Sequence, residues 1–319
     1  MQNKYKIFTD ASIIKEQHIE LLIPFLGDLD KDRSDPDFGR FTRFQKMGKE
    51  FLELVDNPAI ADFFVYPMKW EKGSRDLKTF LQHASKYNKK TLVFFNDDSD
   101  EDMELEKHDV GVFRTSFYKS TKKNNEIAIP GWSQDFGQQP YRRKGDSPTV
   151  GFCGCYTNNN YRHLSLKNLN DEDKIIKNFV LYNQFWAGRN QHSEEKSSGI
   201  YAQSVRNKFI DNIKNSDYVL CCRGSGNFSY RLYETLSAGR IPIIIDTDIV
   251  LPHEEKIAWS KISVWVEKDN VANVGQAVLK DYISMSHKEF LERQKTCRKI
   301  YEDYIRPTSY FNKWFEENK

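Results

Sequence analysis

Residues 216–265 read SDYVLCCRGSGNFSYRLYETLSAGRIPIIIDTDIVLPHEEKIAWSKISVW. The apolar run 218–222 has strand composition and leads into Arg223, Gly224, Ser225, Gly226 and Asn227. A short helical stretch follows, then a second apolar strand at 241–245. The two glycines permit positive φ and a close backbone approach to a ligand. Free N–H groups at the helix start, aided by the helix dipole and the Arg223 guanidinium, suit phosphate oxygens. Ser229 or Asn227 is placed to cap the helix. Arg231 and Glu234, three apart, share one helical face, and Leu232 and Leu236 share a roughly opposite one. Arg231 then suits a bidentate pair with a diphosphate, and Glu234 suits two vicinal ribose hydroxyls. The competing reading is an exposed ion pair contributing a few tenths of a kcal/mol.

Outward from this unit, strands and helices continue to alternate. Residues 5–9, 63–66 and 91–95 are short apolar runs of the kind buried in parallel sheets. Residues 40–55 and 74–87 carry apolar side chains at helical intervals, among them Phe44, Met47, Phe51, Leu52 and Val55. Residues 137–148, GQQPYRRKGDSP, lack any apolar period and mark the domain boundary. Beyond it, 149–153 is a strand, and Val205, Phe209 and Ile213 form a helical stripe. Residues 290–304 are helical in period. Tyr310, Phe311, Trp314 and Phe315 then need a surface to cover.

With 319 residues, two domains are expected. Aromatic residues at 14% suffice for two cores, and a mean hydropathy of −0.72 describes a well-solvated surface. Net charge is only +2, which argues against a nucleic-acid binder. No apolar run is long enough to span a bilayer and the start lacks a signal-peptide core, so the chain is expected to be soluble and cytoplasmic. Cys153, Cys155, Cys221, Cys222 and Cys297 lack zinc-knuckle spacing and read as reduced thiols.

The run LCCRGSGNFSYRLYETLSAGRIPIIID, followed by LPHEEKIAWSKISVWVE, resembles the exostosin-like (GT47-type) glycosyltransferase signature. In that signature an R-G-x-G loop, an S-x-R-x-x-E helix, a G-x-I-P strand and an L-P…W…S-V segment follow one another. The resemblance covers residues 216–267 and extends loosely to PTVGFCG at 148–154. It implies a GT-B architecture, with two Rossmann-like domains facing across a cleft. Residues 1–140 would bind acceptor, 148–300 would bind a nucleotide sugar, and 301–319 would be a helix crossing back to the first domain. It further implies inverting transfer from a nucleotide-diphosphate sugar to a glycan or lipid-linked glycan, with no cofactor or obligate metal. Arg223, Gly224, Ser225, Gly226 and Asn227 would border the donor phosphates, Ser229 and Arg231 would contact the diphosphate, and Glu234 would hold the ribose. Bacterial surface polysaccharide synthesis at the inner membrane face is the expected setting. A non-catalytic nucleotide-sugar-binding protein of the same fold is a further alternative.

Gly224-x-Gly226-x-x-Ser229, with Asp246 further on, also imitates a dinucleotide fingerprint, so an NAD(P)-binding oxidoreductase stays open. Asp246-Thr247-Asp248 matches a metal-binding D-x-D, although its place after a strand reads as a turn cap. The acidic run at 96–102 reads as a solvated loop. An inverting transferase needs a base for the acceptor hydroxyl. Asp37 and Asp98 are the candidates, with Asp10 and Asp97 also near strand ends. His253 is expected near the donor pocket. Trp132 with Asp135, and Trp186 with Arg189, offer sugar contacts. Arg142, Arg143 and Lys144 offer a contact to anionic headgroups or a lipid-linked acceptor, though a solvated linker is the favoured reading.

Overall fold

The computed structural model describes residues 4–30, 33–157, 159–184 and 199–319. Strands β1 (Tyr5–Phe8), β2 (Leu52–Leu54), β3 (Phe63–Lys69), β4 (Thr91–Phe95), β5 (Val110–Arg114) and β6 (Glu126–Ala128) form one parallel sheet in the order β2-β1-β3-β4-β5-β6. A second parallel sheet, ordered β11-β10-β9-β7-β8, contains β7 (Thr149–Cys155), β8 (Ile176–Tyr182), β9 (Tyr218–Cys221), β10 (Ile241–Asp246) and β11 (Val264–Glu267).

The unbroken apolar runs follow from burial on both faces of each sheet. In β3 and β4, Phe63, Val65, Leu92 and Phe94 enter one core, while Phe64, Tyr66, Val93 and Phe95 enter the other. The second core receives the Arg75–Lys86 helix, whose Leu77, Phe80, Leu81 and Ala84 fall on one stripe. The Ser74 side chain caps that helix by accepting from Leu77 N–H at 3.2 Å.

The helix expected at 40–55 is shorter. It spans Thr42–Phe51, and the chain then turns extended at Leu52 to form β2 against β1. Leu52 and Leu54 lie opposite Tyr5 and Ile7, so pairing at the open sheet edge overrides their helical spacing. The period seen at 290–304 likewise changes: an α-helix, His287–Ile300, gives way to a wider π-type turn, Tyr301–Ile305.

That turn carries the chain from one domain to the other. Phe290 and Cys297 belong to the second domain's core, whereas Tyr310, Phe311, Trp314 and Phe315 of the Pro307–Asn318 helix fill a face of the first sheet. Two parallel α/β domains across a cleft, joined by a returning C-terminal helix, constitute a GT-B architecture. Among the described residues, no helix is long and apolar enough to cross a membrane.

Between β6 and β7 the chain forms no further helix or strand, yet it is fastened to the second domain. Arg142 Nε donates to Asp217 Oδ1 at 2.5 Å, and its N–H donates to Gln294 Oε1 at 2.8 Å. Lys144 Nζ donates to the Met285 carbonyl at 2.7 Å. The basic cluster is therefore not a free linker patch: of the three cations, Arg143 stands exposed while its neighbours serve the fold.

All five cysteines are buried and unpaired. Burial pushes the Cys153 and Cys222 thiols up to about 11, and Cys221 and Cys297 up to about 12. A thiol whose pKa is raised by folding retains its proton where the unfolded chain releases it. Stability is thus expected to decline as pH rises from the unfolded thiol value, near 8.5, toward 11–12. Urea midpoints at successive pH values test this. An aromatic disulfide reagent at pH 8 should label these four thiols only after unfolding, and rapid labelling of the native protein would contradict their burial.

Candidate functional site

A cavity of about 470 Å³ opens between the domains. Asp37, Arg40, Asp98 and Trp132 line it from the first domain. Gly154, Arg162, Arg206, Gly224, Ser225, Ser229, Arg231 and Glu234 line it from the second. Gly154 lies at the carboxyl end of β7, and Gly224, Ser225 and Ser229 follow the carboxyl end of β9, where open parallel sheets bind ligands.

Arg231 crosses the end of β7, donating to Cys153 O at 2.7 Å and Leu220 O at 3.3 Å. Its guanidinium lies 4.2 Å from the Phe152 ring centre. Gly154 makes room for it, because a Cβ there would meet Arg231 Nη2 at 3.0 Å. Arg162, one turn into the Asn160–Asp171 helix, donates to Cys155 O at 2.9 Å and Arg223 O at 2.7 Å. Neither arginine forms an ion pair with a carboxylate among the described residues, and the Nε of each has no partner. Desolvation lowers the pKa of both; for Arg162, desolvation followed by the like charge of Arg231 brings it down to about 10. A guanidinium holds its proton at neutral pH in proteins. Two converging, carboxylate-free guanidinium groups are costly to bury unless an anion joins them.

The Tyr230–Ser237 helix begins at this spot. Ser229 occupies its N-cap with extended backbone, and its side chain makes no capping bond. Its hydroxyl borders the cavity beside Gly224 and Ser225. Glu234, 4% exposed, lies in the same wall and accepts from Arg206 Nη2 at 2.7 Å.

Other expected loop roles change. Neither Gly224 nor Gly226 has positive φ. A Cβ on Gly226 would come within 2.7 Å of Asp98 Cα, so its close neighbour is the first domain's backbone. Asn227 is buried between domains: its N–H donates to Ser116 Oγ at 2.8 Å, and its side chain donates to Phe117 O and Thr247 O. Arg223 reaches Tyr118 Oη at 2.9 Å and lies outside the cavity wall. Arg223, Gly226 and Asn227 thus dock the domains together, because tertiary packing claims the groups that the loop alone would offer a ligand.

His253 is also displaced from the cavity. Its side chain is 6% exposed, packs against Tyr304 and Tyr310, and has its pKa lowered chiefly by desolvation. Asp37 lies in the cavity wall, ion-paired with Arg206 Nε at 2.8 Å. Asp98 is exposed at the cavity rim, and its carboxylate has no hydrogen-bond or ion-pair partner among the described residues. Asp10 caps a turn by accepting from Ser12, and Asp97 pairs with Lys69.

The D-x-D is a turn device: Asp246 Oδ1 accepts from Asp248 and Ile249 N–H, while Asp248 binds Ser120. Trp132 stacks on Phe311 and borders the cavity floor, and Asp135 is held by Arg298 and Arg306. Trp186 and Arg189 lie outside the described residues.

The sequence reading missed Arg162, Arg206 and Arg40. Arg206 sits beside the apolar stripe of the Gly199–Lys214 helix, where Val205 and Phe209 prove half-buried against the cavity and Ile213 fully buried. An arginine bordering an apolar stripe was the available signal.

The fold and site define a two-domain α/β protein with an arginine-lined interdomain cavity. Residues 119–280 match the exostosin GT47 domain, and the chain belongs to that family. It is 34% identical over 87 residues to probable glucuronosyltransferase 47 A of Physcomitrium patens, covering 27% of this chain and 18% of that protein. It is 24% identical over 153 residues to the exostosin-1 homolog of Caenorhabditis elegans, covering 48% and 37% respectively. The chain therefore spans well under half the length of these relatives. Among solved structures, TarM aligns with 10% identity and a TM-score of 0.44, over 81% of this chain and 54% of that one.

Proposed function

We propose that this protein is an inverting glycosyltransferase that binds a nucleotide-diphosphate sugar in the interdomain cavity and transfers the sugar to a glycan acceptor. The observation that carries this reading is the pair of carboxylate-free guanidiniums, Arg162 and Arg231, beside the helix N-terminus at Ser229. Arg231 with Ser229 engages the diphosphate and Glu234 the ribose. The glucuronosyltransferase relatives support a sugar-nucleotide donor, and surface polysaccharide is the setting in which we place the acceptor.

In the reaction, the acceptor hydroxyl attacks the anomeric carbon as the bond to the diphosphate oxygen breaks. Asp98, the unpaired carboxylate on the acceptor side, takes the hydroxyl proton. Arg162 and Arg231 stabilise the charge developing on the leaving diphosphate, the role a divalent cation fills elsewhere, so we propose metal-independent turnover. The dinucleotide reading has less support, because the Asp98 backbone fills the space above Gly226 that a pyrophosphate needs.

The test is a thermal-shift panel of UDP, GDP, CMP, their sugar conjugates, NAD and NADP, with and without EDTA. A ligand at 100 times its Kd should add about 2.7 kcal/mol of stability. Stabilisation by NAD or NADP alone would sink the proposal. For turnover, Asp98→Asn should lower the rate of nucleoside diphosphate release with acceptor by roughly 10²–10⁴-fold while leaving donor affinity within about twofold. An unchanged rate removes Asp98 as the base, and loss of donor affinity assigns it to binding.

A further inference from the structure

Arg206 is the one side chain among the described residues that joins Glu234 of the donor-facing helix to Asp37 of the first domain. Its Nη2 donates to Glu234 Oε1 at 2.7 Å and to Gln134 Oε1 at 3.0 Å, and its Nε stands 2.8 Å from Asp37 Oδ1. The guanidinium lies 5.3 Å from the Phe136 ring centre and 5.1 Å from that of Phe209. Side-chain exposures of 8% for Arg206, 5% for Glu234 and 17% for Asp37 place the whole triad largely out of water. Burial disfavours the charged guanidinium, but Glu234 and Asp37 outweigh that and hold its pKa above the ordinary value.

Glu234 meets Arg206 through one carboxylate oxygen, which leaves its second oxygen an unused acceptor in a poorly solvated place. The described hydrogen bonds to the Glu234 carboxylate reach Oε1 alone. A vicinal diol supplies two hydroxyl donors, matching the acceptor capacity left on that carboxylate.

We propose that Asp37, Arg206 and Glu234 form a cross-domain latch completed by the ribose of a bound nucleoside diphosphate. Asp37 thereby strengthens nucleotide binding without touching the nucleotide. This rests on the nucleotide reading above and extends it from the second domain to the first. Arg206 is a positioning residue: it orients Glu234 toward the diol and transmits diol binding to Asp37, drawing the domains together.

The test is calorimetric titration of the full chain with UDP and GDP, each against its 2′,3′-dideoxy counterpart, and with inorganic diphosphate. Wild type should favour the ribonucleotide about tenfold, the scale of hydrogen bonds to a charged group. Asp37→Asn, which keeps the side-chain shape, should reduce ribonucleotide affinity roughly threefold to tenfold and leave dideoxynucleotide and diphosphate affinities within about twofold. Arg206→Lys should do the same, and the double variant should lose little more than either single one. Equal losses for ribo- and dideoxynucleotides, no loss in Asp37→Asn, or additive losses in the double variant would each overturn the latch while leaving the donor site standing. If wild type binds diphosphate but makes no distinction between ribo- and dideoxynucleotides, the latch falls. Absence of any nucleoside diphosphate binding overturns both readings together.

Discussion

Arg231→Ala should lose at least about 30-fold in nucleoside diphosphate affinity, with little change in the stability of the unliganded protein. Removing one partner of a desolvated charge pair costs roughly 2–5 kcal/mol of binding, and about 1.4 kcal/mol corresponds to each tenfold. The unliganded protein behaves differently because Arg231 has no carboxylate to lose. Its pKa is lowered by desolvation, so burying its charge opposes folding, and the substitution relieves that cost. Against this stand the two lost hydrogen bonds to Cys153 O and Leu220 O and the contact with the Phe152 ring. These opposing contributions should leave the unfolding midpoint nearly unchanged. Titration calorimetry and urea denaturation of the same sample separate the two effects. Retained affinity would dismiss the diphosphate role, and large destabilisation would make Arg231 a structural residue.

Phe311→Ala should have the largest effect on stability, about 3–5 kcal/mol, because it empties a ring-sized space in a packed core. Phe311 is 3% exposed, stacks on Trp132 at 5.5 Å, and lies within 6.0 Å of Phe44, Phe94 and Phe113. For a chain of this size, about 2–4 °C per kcal/mol implies a fall in Tm on the order of 10 °C. The loss should appear first as exposure of Trp132 and Trp314, since both lie in the core that the C-terminal helix forms with the first sheet. A fall below about 2 °C would show that the helix is not docked there. Trp132 also borders the cavity, so loosening its partner should weaken acceptor binding more than donor binding.

The contrast between the two substitutions follows where the residues get their partners. Phe311 and Trp314 were legible as apolar residues needing a cover, because helical spacing alone reports which side chains share a face. Their destination, the first sheet, came from three-dimensional packing. Arg231 was legible because it stands three residues from Glu234 and just after a glycine-bearing loop, a spacing that survives translation into structure. Gly226 and Asn227 belonged to the same motif, yet the first domain packs against both, through Asp98 and Ser116, and turns them into docking groups.

Periodicity and composition determine the alternating strands and helices, the apolar faces and the glycine-bearing turn between β9 and its helix, since these depend on neighbours a few residues apart. They fail where edge pairing competes, as at Leu52–Leu54, whose helical spacing yields to the hydrogen-bonding edge of β1. Tertiary structure alone decides that Arg162 joins Arg231, that Arg206 joins Asp37 to Glu234, and that His253 is buried beneath Tyr304 and Tyr310. The physical reason is that the energy of a buried charge or polar group depends on which distant groups reach it and how much water remains, neither of which local spacing encodes.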